Sequence, residues 1–121
     1  MQILRLLAFF VALHPVISLA QERIAPVQAK DYVGQVATVC GKVAGVHQAM
    51  RSKGQPTFIN LDAAYPSQIF TILIWGSDRP KFGNLEREYA DQNLCVTGAI
   101  SSYRGIPEII TTSPGSIKLT Q

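Results

Sequence analysis

The chain has 121 residues and a mass of 13.2 kDa, the size of one ordinary domain, which excludes a multidomain enzyme. Hydrophobic residues make up 47% and charged residues 16%, a balance that excludes an intrinsically disordered chain or a long coiled coil. A formal net charge of +3 is far below that of a polycationic tail, and two cysteines and two histidines are too few for a Cys-rich zinc module or a disulfide-dense scaffold.

The first twenty residues read as a separate segment. Arg5 is a short basic start, Leu6 to Val11, extended to Leu13, is a compact apolar run, and Ser18-Leu19-Ala20 is a small-x-small site before Gln21. This pattern predicts a secretory signal peptide over residues 1–20. The rival reading is a transmembrane anchor, but the run is short for a span and is interrupted by His14 and Pro15. The expected location is therefore periplasmic or secreted. Without Arg5, ten Lys/Arg face eight Asp/Glu, a charge of +2 over residues 21–121.

Residues 21–32 read as a loose lead-in containing Pro26. From Gln35 to Val46 the pattern becomes period two, with Ala37, Val39, Gly41 and Val43 on one face and Thr38, Cys40, Lys42 and Ala44 on the other. That is a half-buried strand, and Gly41 and Gly45 within it mark a bulge or strong bend. A polar loop, His47 to Pro56, follows. Thr57 to Asp62 is the second strand, with Ile59 and Leu61 inward and Phe58, Asn60 and Asp62 outward. Gln68 to Gly76 is the third, too uniformly apolar to assign its faces. Arg79 to Asp91 carries a short, irregular amphipathic helix. Asn93 to Tyr103 is the fourth strand, Arg104-Gly105 a hairpin turn, and Ile106 to Thr112 the fifth, with Pro107 placing it at an edge or entry. A last short strand falls at Ile117 to Leu119.

Five strands with a short helix between the third and fourth is the element order of the OB-fold, an all-β, five-stranded Greek-key barrel, here over residues 33–119. An SH3-like barrel is the competitor, but it lacks the helix.

Three strings carry a family resemblance: VGQVATVCGKVAGV (33–46), TFINLD (57–62) and NLCVTGAI (93–100). Together they resemble the helicase/tRNA-type OB-folds, in particular the anticodon-binding barrels of aspartyl, asparaginyl and lysyl-tRNA synthetases. The matching patterns are V-x-x-G-x-V, F-I-x-L-x-D and V-x-G-x-I. The resemblance covers roughly residues 33–112. The string YRGIPEI (103–109) and the run GQPTFINLD…FTILIWG also resemble small exported bacterial OB modules, some of which accompany secreted nucleases. The catalytic domains of synthetases and nucleases have no counterpart in the sequence, so the resemblance implies a binding surface and no reaction. An Arg precedes the second-strand Asp in the synthetase-like pattern. Leu61 stands in its place in the strict count, or Ala63 if the match slips.

An OB barrel binds single strands across its second and third strands, between the loops joining strands one to two and four to five. The resemblance implies that Phe58 stacks on a base, as the matching Phe of F-I-x-L does on an anticodon base. Packing beneath the loops is the alternative. Asn60, beside it, is placed to hydrogen-bond a base edge. The first loop supplies His47, Arg51 and Lys53, with Lys42 pointing toward it, and the second supplies Tyr103 and Arg104. These form a candidate cationic, aromatic rim for phosphates and bases. Trp75 reads as a strand-end plug before a surface aromatic.

Cys40 and Cys95 fall on outward positions of the first and fourth strands, which are neighbours in an OB barrel, within disulfide range. A structural disulfide is the first reading, and two free thiols or a redox pair are the alternatives. The chain has no H-E-x-x-H, G-x-S-x-G or P-loop string. Glu86, Glu88 and Asp91 read as the solvated face of the helix, so no metal, cofactor or enzymatic activity is expected. The expected partner is single-stranded DNA or RNA, held with weak sequence preference. An envelope protein, peptide or glycan is the alternative, and the small charge favours it.

Overall fold

The structure is a computed structural model that describes residues 7–9, 11–13 and 23–121. Most of the expected signal segment and its cleavage site lie outside the described residues. Leu7, Phe9, Val11 and Leu13 of that segment are each more than three-quarters exposed.

The protein is mostly β. Its strands are β1 (Arg23–Ile24), β2 (Val36–Gln48), β3 (Thr57–Leu61), β4 (Thr71–Ile74), β5 (Asn93–Tyr103), β6 (Ile106–Ile110) and β7 (Ile117–Thr120), with one α-helix, α1 (Leu85–Tyr89), between β4 and β5. They form a seven-stranded sheet in the order β1-β2-β3-β4-β6-β5-β7, and β2 also pairs with β5. The pairings therefore run β2–β3–β4–β6–β5 and return to β2. All are antiparallel except β4–β6, which is parallel.

Five barrel strands and a last short strand at Ile117 to Leu119 were expected, and among the described residues there are seven, β1 being the one not foreseen. β1 and β7 flank the β2–β5 seam. β1 pairs parallel with β2 through Arg23↔Thr38 and Ile24↔Val39, and β7 pairs antiparallel with β5. The segment expected as a loose lead-in is therefore ordered from Arg23. A 3-10 turn, Pro26–Asp31, follows β1, and Ile24 and Ala29 are buried in the core.

β2 is long because it serves two partners. Its first half, Val36 to Lys42, pairs with β5, and its second half, Val43 to Gln48, pairs with β3. The register shifts between Val43 and Gly45, where the sequence predicts a bend. Gly41 is required by close approach: a Cβ there would lie 2.7 Å from Pro26 and 2.8 Å from the Asp62 carboxylate. The inward row Val46, Ile59, Ile72, Ile109 and Ile100 crosses the sheet in register, and its last four members are at most 2% exposed. Phe70, Phe82, Leu85 and Tyr89 close the core from the loop and helix side. Asn84 caps α1 by accepting the Arg87 N–H at 2.9 Å.

The helical region is as irregular as the sequence implies, a 3-10 turn at Arg79–Phe82 before α1. Arg79 fastens it to the sheet. Its guanidinium donates to Thr57 Oγ1 and forks onto both carboxylate oxygens of Glu86 at 2.8 Å. Cys40 and Cys95 stand opposite one another in the β2–β5 register and form a disulfide.

Candidate binding groove

The outer face of the sheet carries the candidate site. Side chains alternate across a strand, so the residues between the core positions point outward. One outward row runs in register through Gly45, Asn60, Thr71, Glu108 and Ser101. The next runs through His47, Phe58, Leu73 and Ile110. The residue pair at the β5–β6 turn, Tyr103↔Ile106, closes one end.

Asn60, Thr71 and Glu108 of the first row and His47 and Phe58 of the second line a groove of about 690 Å³. Phe58, Tyr65 and Tyr103 give it aromatic surface, and His47, Arg104 and Glu108 are its titratable groups besides the two tyrosines. Of the residues singled out from sequence, His47, Phe58, Asn60, Tyr103 and Arg104 are brought together here. Phe58 is half-buried and Asn60 is 6% exposed. Both occupy the outer face as expected, but inside the groove and not on an open surface. The Thr71 hydroxyl donates to Asn60 Oδ1 at 2.8 Å, which leaves the Asn60 amide nitrogen for the groove. Arg104, at φ 51° in the hairpin turn, sets its guanidinium over the Tyr103 ring, 5.3 Å from the centroid, a cation–π contact.

Lys42, Arg51 and Lys53 are not among the groove-lining residues. Lys42 borders a smaller depression with Asp62 and Asp91. Asp62 was expected beside Phe58 on the outer face. At φ 66° it turns back on β2 instead, accepting the Lys42 N–H at 2.8 Å and donating its own N–H to the Lys42 carbonyl at 2.7 Å. Arg51 and Lys53 are exposed in the loop between β2 and β3. That loop is tied down by Ala49 N–H to the Pro56 carbonyl and by Gly76 N–H to the Gly54 carbonyl, at 2.8 and 2.9 Å. Gly54, at φ +78°, lies against the Trp75 ring so closely that a Cβ would be 2.9 Å away. Trp75 thus packs one face on this loop while remaining 39% exposed.

Sequence reasoning missed Tyr65, Gln68, Thr71 and Glu108. The segment between β3 and β4 folds over the sheet and delivers Tyr65 and Gln68, and no periodicity encodes that return. Glu108 was legible only as an outward position of the last long strand. Burial pushes its carboxyl pKa upward, and it joins no ion pair among the described residues. Gln68 Oε1 is buried without a hydrogen-bond partner among the described residues. The groove therefore holds a cation, a carboxylate and idle amide groups beside aromatic faces. Among the described residues there is no cluster of His, Cys, Asp or Glu able to hold a metal ion.

No protein-family model matches the chain, and no curated protein matches it. Solved structures do. An OBody, AM1L10, bound to hen egg-white lysozyme aligns with a TM-score of 0.55 and 11% identity over 84% of this chain and 95% of its own. An aspartyl-tRNA synthetase chain from Leishmania major Friedlin, described as putative, aligns at 0.52 and 10% identity over 88% of this chain. The aspartyl-tRNA synthetase of Entamoeba histolytica aligns at 0.48 and 17% identity over 89%. The present chain spans only 22% and 23% of those two synthetase chains. At these identities the likeness is one of fold, and the two alignments above 0.5 give an all-β, OB-like protein.

Proposed function

We propose that this chain is an exported OB-fold module, a Greek-key barrel, that binds a short stretch of single-stranded nucleic acid in the outer-face groove. The five-strand circuit β2-β3-β4-β6-β5 supports the barrel reading. The observation that carries the ligand is the convergence of Phe58, Tyr65 and Tyr103 with Arg104 and His47 in one groove. Bases stack on the rings, and the cations meet the backbone. The reading assigns no reaction to the chain. The disulfide supports an oxidising compartment, and the apolar segment ending at Ala20 supports export by a signal peptide.

Anisotropy of labelled single-stranded oligonucleotides across a salt series tests this. With two or three phosphate contacts, affinity falls about 7- to 18-fold between 50 and 200 mM salt. Phe58→Ala weakens binding by the loss of one stacked base, about 1–3 kcal/mol, without unfolding the protein. Absence of binding at low salt rejects the reading.

A second reading has its own observation. Arg104 and Glu108 balance in the groove while Arg51, Lys53 and Lys42 do not line it, an arrangement better matched to a protein segment than to a polyanion. The OBody relative is itself bound to a protein, hen egg-white lysozyme. Binding that is indifferent to salt, to an envelope protein and not to oligonucleotides, would select this second reading.

A further inference from the structure

The charges that line the groove differ in depth. Arg104, in the β5–β6 turn, and His47, near the end of β2, are both exposed. Glu108 is half-buried on the floor, in the row that runs Asn60, Thr71, Glu108 and Ser101 across β3, β4, β6 and β5. The other three members of that row are uncharged. Neither β4 nor β5, the strands on either side of β6, carries a charged residue. The 3-10 turn Pro26–Asp31 also packs on β6, but its Lys30 and Asp31 do not line the groove. The remaining titratable groups of the lining are Tyr65 and Tyr103. Arg104 is stacked on the Tyr103 ring, and no cation forms an ion pair with Glu108 among the described residues.

The floor therefore carries one uncompensated negative charge beneath an exposed cationic edge. A single strand has two sides of different charge, neutral bases and an anionic backbone. Two like unit charges about 10 Å apart, at the effective dielectric of a protein surface, repel enough to weaken binding about tenfold. A phosphate on the floor meets that repulsion, and a phosphate beside Arg104 and His47 meets attraction. A base on the floor meets neither, and it finds the rings of Phe58, Tyr65 and Tyr103.

We propose that Glu108 decides which side of a single strand enters the groove: its carboxylate keeps the phosphodiester backbone off the floor, so the strand enters base first with its backbone along Arg104 and His47. This rests on the nucleic-acid reading and adds to it a residue that rejects, where that reading names only residues that attract. The rejection depends on protonation. Burial pushes the Glu108 carboxyl upward, so its charge is lost in milder acid than an ordinary carboxylate needs. Below that point the backbone meets an uncharged floor.

The test compares two strands of equal length and charge, an oligothymidylate and an abasic strand, titrated at low salt into the purified, disulfide-bonded protein. The parent protein is expected to prefer oligothymidylate. Glu108→Gln, which keeps the shape, is expected to bind the abasic strand about tenfold more tightly than the parent does at neutral pH. Its gain for oligothymidylate is smaller, so the preference narrows. Glu108→Asp, which keeps the charge, is expected to keep the preference. On acidification the parent's affinity for the abasic strand is expected to rise toward that of Glu108→Gln. Both proteins carry the same His47, Tyr65, Tyr103 and Arg104, so the difference between their pH profiles belongs to Glu108. No gain in abasic binding by Glu108→Gln, or weaker binding of oligothymidylate by it, overturns the role of Glu108 and leaves the nucleic-acid reading standing. Failure of both strands to bind the parent at low salt overturns both.

Discussion

Glu108 and Glu86 are both carboxylates, and their surroundings drive them in opposite directions. The hydrogen bond from Arg79 and one from a backbone N–H hold Glu86 below the ordinary carboxylate range. Its contribution to stability is present above the unfolded pKa and is lost as pH falls through the folded one. Being exposed, the pair contributes about 0.2–1 kcal/mol. Burial pushes Glu108 upward with no compensating cation. A carboxyl with a raised folded pKa favours folding below its unfolded pKa, and that advantage is lost as pH rises through the folded value. At neutral pH the ionised Glu108 therefore destabilises the protein. Glu108→Gln is expected to raise the urea midpoint at neutral pH and to leave it unchanged in acid below the ordinary carboxylate range. A lower midpoint at neutral pH would contradict the burial argument. Sequence could place Glu108 on an outward strand position. It could not reveal the burial, since β6 pairs with β4, a strand that is not its neighbour in sequence, and Thr71 stands opposite Glu108 there.

At the scale of elements, legibility followed periodicity. β5 spans Asn93–Tyr103 as the alternation indicates, and the Arg104-Gly105 turn follows it. The uniformly apolar third strand carries no such signal. Its ladder covers only Thr71–Ile74, and Gln68 to Phe70 and Trp75 belong to the flanking loops. β1 was invisible because two residues have no period, and only the docked edge of β2 makes them a strand. The three cations expected on the rim were read from the loop and from β2 as though both faced the groove. Trp75 over Gly54 and the Asp62–Lys42 backbone exchange fix them elsewhere. The Cys40–Cys95 link joins β2 and β5 across a separation of 55 residues. These strands form the seam that returns the sheet to its start. Replacing both cysteines by serine is expected to lower stability by about 2–4 kcal/mol, read from urea unfolding of the oxidised protein and the variant. An unchanged midpoint, or two reactive thiols in the denatured, unreduced chain, would contradict a structural role.

For the molecule as a whole, the modest charge limits what binding can rest on. With +3 in all, and +2 over residues 21–121, long-range attraction to a polyanion is weak, so the proposed function requires stacking in the groove to supply most of the affinity. That concentrates the account on one face of one sheet. An amide-shift titration of the isotope-labelled chain with a short single-stranded oligonucleotide tests it most directly. The expected shifts cluster at His47, Phe58, Asn60, Thr71 and the Tyr103–Glu108 hairpin. Shifts confined to the Lys42, Asp62 and Asp91 side, or no shifts at all, would contradict the assignment of the groove.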